Sequence, residues 1–162
     1  MGRKNIISVL EKLINQAHFH CEWQINWLED SRAVVLNLQI PLSNKQKVSL
    51  LNNKGQETDV EDILYETRVL FYDDQLYSLE STQFLKTIPV DQLIGIEYGE
   101  LLSIVMYLKR VMNKVPLYFH EFLNNSESDL FVIEWQENEY QLLKGRILDQ
   151  HRFSQERVFL PK

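Results

Sequence analysis

Two adjacent runs of alternating apolar and polar residues constrain this fold more than any other feature of the chain. In the first run Trp23, Ile25 and Trp27 alternate with polar residues, and in the second every other residue from Val34 to Ile40 is apolar. Successive side chains of a strand point to opposite faces of a sheet, so each run predicts a strand with one buried face. Polar residues 29–31 separate the runs, and together they predict an antiparallel hairpin.

The spacing of apolar residues predicts further strands and helices. Alternation predicts strands near 47–51, 58–72, 87–90 and 131–135. A helical spacing of apolar residues predicts helices at 5–17, 97–113 and 139–148, with another helix able to begin at Pro116. Because strands and helices do not alternate along the chain, we predict an α+β fold. Its antiparallel sheet of four to six strands is covered by helices in a two-layer sandwich.

The length and composition predict one globular domain. The chain has 162 residues, of which 44% are hydrophobic and 25% charged, values typical of a single folded domain. We assign residues 1–148 to this domain. Residues 149–162 form a C-terminal tail whose pattern predicts no element.

The charge balance argues against two classes of partner. The chain has 23 acidic and 17 basic residues, a net charge of −6. Nucleic acids and anionic membranes are bound mainly through Lys and Arg, so neither is expected as a partner. No uninterrupted apolar stretch approaches 18 residues, and Cys21 has no second cysteine to pair with. We therefore predict a cytoplasmic protein without a disulfide framework.

The negative charge is concentrated in residues 57–74, which contain seven acidic residues and one basic residue. Within this segment Asp59, Glu61, Asp62 and Glu66 are predicted to form an acidic strip along a strand. Such a strip can be a solvated face whose charges pair with neighbouring lysines and discourage edge pairing. It can also bind a partner, and both readings fit the pattern.

The chain contains no recognisable metal, cofactor or catalytic motif. His18, His20 and Cys21 come closest to a metal site, but adjacent strand residues point to opposite faces and a second pair of ligands is missing. Ser103 and the other serines lack a Gly-x-Ser-x-Gly frame, and no glycine-rich phosphate loop occurs. We therefore predict no catalytic residue, no metal and no cofactor.

Eight aromatic residues fall on the buried period of their elements, which predicts a core role rather than the wall of a ligand pocket. They are Trp23, Trp27, Phe71, Tyr118, Phe119, Phe122, Phe131 and Trp135.

Three segments carry a resemblance to a known family. An N-terminal helix followed by Glu22–Trp27, then Glu61–Tyr72 and Leu130–Trp135, resembles the domain-of-unknown-function family three-zero-one-three of low-GC Gram-positive bacteria. The resemblance spans about residues 5–145. It implies a bacterial cytoplasmic protein, and the family has no established activity from which a functional residue could be assigned.

Two functions therefore follow as hypotheses. The first is a non-enzymatic protein-interaction or regulatory module that contacts a protein partner or a second copy of itself. The alternative is an enzyme or small-molecule-binding protein with a site in the sheet–helix crevice. A pocket with converging polar groups of shifted pKa would favour the alternative, and an exposed apolar patch would favour the interaction module.

Overall fold

The computed structural model describes residues 3–43, 50–51, 57–58, 62–75, 84–125, 131–150 and 155–162. These residues form nine strands and three helices. The strands are β1 (Lys4–Asn5), β2 (Glu22–Leu28), β3 (Ala33–Ser43), β4 (Leu50–Leu51), β5 (Glu57–Thr58), β6 (Asp62–Asp73), β7 (Lys86–Val90), β8 (Ile96–Glu97) and β9 (Arg157–Phe159). The helices are α1 (Ile6–Ala17), α2 (Tyr98–Asn125) and α3 (Glu137–Gln150). The predicted α+β class is confirmed.

The main sheet has four strands in the order β2-β3-β6-β7. The β2–β3 hairpin is confirmed, with Trp27 opposite Val34. β3 and β6 pair antiparallel along their whole length, and Ser43 lies opposite Asp62. β7 joins parallel to β6, a direction that the periodicity of a five-residue strand cannot reveal. The strand predicted near 47–51 was expected to pair with the strand predicted at 58–72. Its described part, β4, does pair antiparallel with β5, which contains Thr58, but these two strands form a sheet separate from that of β6.

The main core lies where one face of this sheet packs against the helices. Every other residue of β3 from Val34 to Leu42 is buried there, together with Phe71 of β6, Leu10 of α1 and Leu108 of α2. The opposite face of the sheet holds a small second cluster across β3 and β6, made of Ala33, Val35 and Leu70. The alternation seen in the sequence therefore corresponds to a main and a minor apolar face.

Helix α1 is defined by its caps as well as by its apolar stripe. The Asn5 side chain accepts a hydrogen bond from the Ile7 amide at 2.8 Å, which satisfies one of the free N–H groups of the first turn. His18 ends the helix in a left-handed conformation, with φ of 55°.

Helix α2 differs from the prediction at Pro116. A new helix was expected to begin there, but α2 continues unbroken from Tyr98 to Asn125 with Pro116 inside it. Proline removes one helical hydrogen bond and crowds the preceding turn, at a cost of about 3 kcal/mol. Met112, Val115 and Phe119 are buried on either side of Pro116, and burial of this face offsets that cost.

Residues 131–136 also differ from the prediction, because they form no strand. Their burial still alternates, with Phe131, Ile133 and Trp135 half-buried. Phe131 packs edge-to-face on Phe119 of α2 and on Tyr65 of β6, at centroid distances of 5.1 and 5.4 Å. The apolar side chains thus pack against side chains of α2 and β6, and no ladder partner is present among the described residues.

The C-terminal segment contributes to a second sheet. β9 lies between β1 and β8, parallel to β1 and antiparallel to β8. Val158 and Leu160 are buried in the main core. Within the part of the chain that the structure describes, no helix has the length and apolarity needed to cross a bilayer.

Candidate functional site

A groove of about 730 Å³ lies between the C-terminal part of α2, residues 131–136 and α3, and we call it the α2–α3 groove. It is lined by apolar and aromatic residues of all three segments, including Val111, Phe122 and Leu143. The groove is partly open to solvent. The three segments follow one another in the sequence, between Tyr107 and Arg146, but the groove exists only because α3 folds back against α2.

Three of the lining side chains are large, apolar and exposed. Leu142 of α3 is 67% exposed, Val132 is 58% exposed, and Tyr118 of α2 is also exposed. Single exposed apolar residues are common on protein surfaces, but a contiguous group in a concave site marks an interaction surface. The α2–α3 groove therefore presents apolar surface that this chain does not cover with its described residues.

An aromatic cluster holds one wall of the groove in place. The rings of Tyr107 and Trp135 lie 4.5 Å apart, and that of Tyr140 lies 4.9 Å from Trp135 and 5.7 Å from Tyr107. The Tyr107 hydroxyl accepts a hydrogen bond from the Gln136 amide at 3.0 Å. Burial raises the pKa of Tyr107, so its hydroxyl stays protonated at neutral pH.

Glu137 connects the same wall to the sheet. Its carboxylate accepts hydrogen bonds from Gln141 at 2.8 Å, from the Trp135 indole at 2.7 Å and from Lys86 of β7 at 3.1 Å. The bond from Gln141 and the contacts with Lys86 and Trp135 outweigh burial and lower the pKa of Glu137. A carboxylate in the first turn of α3 is also favoured by the helix dipole.

A second polar cluster connects α3 to the start of α2. Lys144 forms an ion pair with Glu100. Tyr140 is buried, and both burial and the nearby Glu100 carboxylate raise its pKa. These contacts lie beside the groove and fix the packing of α3 on α2.

Six charged side chains line the groove, three basic and three acidic. They are Arg110, Lys114, Arg146, Glu121, Glu134 and Glu139. All six residues are exposed, and none forms an ion pair with another described residue. The groove is therefore apolar inside, charged around it and balanced in sign.

The acidic strip expected from the sequence is described only in part. Asp62 and Glu66 are exposed on β6, and Glu66 accepts a hydrogen bond from Gln39 at 2.9 Å. Asp59 and Glu61 lie outside the described residues. Neither Asp62 nor Glu66 lines the α2–α3 groove, so the described part of the strip lies apart from the groove.

The potential metal ligands and the candidate serine have other surroundings. His18 and His20 are exposed and Cys21 is half-buried. Burial raises the pKa of the Cys21 thiol to about 11. Among the described residues, no three His, Cys, Asp or Glu side chains come together as metal ligands do. The Ser103 hydroxyl is buried and donates to the Gly99 carbonyl at 2.6 Å, so it bonds back within α2.

Sequence reasoning missed most of the groove. Phe71 and Phe119 lie in the core as expected. The core prediction was wrong for Tyr118, which is exposed and lines the groove together with the half-buried Phe122 and Phe131. The sequence does contain one relevant signal, since Leu142 stands between Glu139 and Arg146 on the solvent side of a short helix. The structure leaves Leu142 67% exposed in the groove.

Comparison with protein families assigns nearly the whole chain to one family. The family model described as "Protein of unknown function (DUF3013)" matches residues 1–161. The chain belongs to this family. The match includes the C-terminal strand β9, beyond the 5–145 span of the resemblance. No curated protein matches the chain with significance.

A solved structure has the same fold as this DUF3013 member. It is described as a conserved protein of unknown function from Enterococcus faecalis, and the two chains share 18% identity with a TM-score of 0.85. The alignment covers 100% of this chain and 98% of the other. At this identity the likeness shows a common fold and no shared function.

Proposed function

We propose that this DUF3013 member is a non-enzymatic protein-interaction module that binds a protein segment in the α2–α3 groove. The observation that carries the proposal is the grouping of Tyr118, Val132 and Leu142, all exposed, in one concave site. Protein interfaces combine an apolar centre with a polar rim. The six unpaired charges around the groove supply such a rim.

The free energies of apolar burial and of association indicate how extensive the contact with a partner must be. Complete burial of a Val or Leu side chain contributes roughly 1.5–3 kcal/mol, so covering the exposed parts of Val132 and Leu142 contributes about 2–4 kcal/mol together. Association itself costs about 4–15 kcal/mol in lost freedom of motion. A partner must therefore cover Tyr118 and Phe122 as well and satisfy the charged rim.

The polar groups of the groove favour binding over catalysis. The Tyr107 hydroxyl accepts a hydrogen bond from the Gln136 amide, and burial raises its pKa, so at neutral pH it is protonated and cannot accept a proton as a base. Glu137, whose pKa is lowered, is held by three donors. Both groups thus act as structural supports of the groove wall.

Leu142→Glu is the variant that tests the proposal. A buried carboxylate at the centre of an interface is strongly unfavourable, so proteins retained from a bacterial lysate by the wild type should be lost. Leu93→Glu is the matched control, because Leu93 is 80% exposed in the 91–95 turn and does not line the groove. Retention of the same proteins by wild type, Leu142→Glu and Leu93→Glu would refute a role for the groove.

The acidic strip is a competing surface, and the same assay separates the two. The double variant Asp62→Asn, Glu66→Gln removes the two described charges of the strip. If the groove is the binding surface, this variant should retain the partners of the wild type. Loss of those partners from the double variant, with Leu142→Glu still binding, would assign the interaction to the strip.

Small-molecule binding is the second candidate function. The groove volume of about 730 Å³ falls within the roughly 300–1,000 Å³ typical of ligand pockets. Thermal unfolding in the presence of a metabolite set tests it, because a bound ligand raises the melting temperature in proportion to its occupancy. A compound that stabilises the wild type and Leu93→Glu but not Leu142→Glu would support a ligand in the groove.

A further inference from the structure

We infer that the protein segment bound in the α2–α3 groove belongs to a second copy of this chain, related to the first by a two-fold axis. This inference rests on the proposed function and names its partner. In a two-fold dimer the same surface patch meets itself, so the patch must be complementary to its own rotated image. The charges around the groove meet that condition.

The exposed face of α3 is complementary to itself. Glu139, Leu142, Leu143 and Arg146 follow one another at i, i+3, i+4 and i+7, and all four line the groove. These positions share one face of a helix. The face thus runs from acid through the exposed Leu142 and the buried Leu143 to base. Two such helices packed antiparallel bring Glu139 of one copy opposite Arg146 of the other, with leucines between them.

The face of α2 has the same arrangement with the charges reversed. Lys114, Tyr118 and Glu121 stand at i, i+4 and i+7 and line the groove. Leu117, on the same stretch, is 55% exposed. An antiparallel pairing of two α2 helices would bring Lys114 of one copy opposite Glu121 of the other.

The mixed pairing, in which α3 of one copy packs on α2 of the other, is complementary as well. Within one chain α2 and α3 run antiparallel, since Tyr140 packs on Tyr107 whereas the later Lys144 pairs with the earlier Glu100. A two-fold axis that passes through the groove perpendicular to these helices reverses α2, so the second copy's α2 runs parallel to α3.

In that parallel alignment Glu139 faces Lys114 of the second copy, and Arg146 faces Glu121. All three helix pairings that a two-fold axis perpendicular to the helices permits therefore join opposite charges. The apolar centre would supply affinity, and the charges would select this partner and its orientation.

Two designed variants of the full chain test the inference. An acidic variant carries Lys114→Glu and Arg146→Glu, and a basic variant carries Glu121→Lys and Glu139→Lys. Each has like charges at all four positions, so each should repel its own copy in all three pairings. The wild type should sediment as a dimer of 19.3 kDa chains. Each variant alone should dimerise at least roughly tenfold more weakly.

Mixing the two variants provides the rescue. An equimolar mixture should form a one-to-one heterodimer, because the acidic face of one chain meets the basic face of the other. Circular dichroism of each variant checks that it is folded. Addition of salt should weaken the heterodimer, since exposed charges are screened.

Three results would overturn the inference. They are a wild type that sediments as a monomer at its highest soluble concentration, variants that each dimerise as strongly as the wild type, and a mixture that does not associate. If any of these occurs while Leu142→Glu still loses proteins that Leu93→Glu retains, the groove binds a different protein and the proposed function stands. If Leu142→Glu also changes nothing, both proposals fail.

Discussion

Asp73 offers the sharpest test of how the described contacts translate into stability. It ends β6, and its side chain is 0% exposed. Its carboxylate accepts hydrogen bonds from the Gln75 amide at 2.9 Å, from Arg32 at 3.2 Å and from Gln92. Arg32 also donates to the Pro161 carbonyl at 3.0 Å, so this one carboxylate connects the β2–β3 turn, β6 and the C-terminal segment.

Asp73→Asn preserves the shape of the side chain and removes the charge. An amide can accept from Arg32 and Gln92 with its oxygen, but its NH₂ group then faces the Gln75 N–H. One hydrogen bond to a charged group is lost, about 1.5–3 kcal/mol. The ion pair with the partly exposed Arg32 adds about 0–1 kcal/mol. We expect a loss of about 2–4 kcal/mol in the free energy of unfolding at pH 7, measured by urea titration.

The pH dependence of this loss provides an independent check. Burial alone would raise the pKa of Asp73, but the bonds from Gln92, Gln75 and Arg32 lower it below the ordinary value of 3.8. A carboxylate with a lowered pKa in the folded state stabilises the protein above pH 3.8. That stability is lost as the pH falls through the folded-state pKa. The difference between wild type and Asp73→Asn should therefore be complete at pH 7 and shrink below pH 3.8.

The neighbouring residue supplies the control for this experiment. Asp74 is exposed, and its carboxylate accepts a hydrogen bond from the Gln75 side chain at 3.3 Å at the protein surface. Asp74→Asn should change the free energy of unfolding by less than about 0.5 kcal/mol. A loss of similar size for Asp73→Asn, or a larger loss that stays constant down to pH 2, would refute the assigned role of Asp73.

Two further predictions concern glycine and cysteine. Gly95 has φ of +67°, and a Cβ there would overlap the Val158 carbonyl, whereas a Cβ on Gly145 of α3 meets nothing within 4 Å. Urea titration should show that Gly95→Ala destabilises the protein by at least about 2 kcal/mol and that Gly145→Ala stabilises it by about 0.5–1 kcal/mol. Cys21, with its pKa raised from 9.0 to about 11, should react at pH 8 about a hundredfold more slowly with a thiol reagent in the native protein than in urea. Equal rates would show an accessible thiol.

The sequence alone determined the position of those elements whose apolar residues recur at a regular local spacing. Helix α1 is found at its predicted position because its apolar residues recur at helical spacing and Asn5 caps its first turn. The β2–β3 hairpin is found in the same way, since alternation identifies each strand and the intervening turn makes the strands neighbours. In both cases the residues that determine the element lie within the element itself or in the adjoining cap or turn.

Only the tertiary structure decided the conformation of segments whose packing partners lie elsewhere in the chain. Residues 131–135 alternate as a strand does, but a strand also needs a backbone neighbour, and their side chains pack instead on α2 and on Tyr65 of β6. Helix α2 passes through Pro116 because burial on both sides offsets the lost hydrogen bond. The α2–α3 groove exists only between packed elements. The spacing of apolar residues within one element does not predict the groove, since its shape depends on how α2, residues 131–136 and α3 pack together.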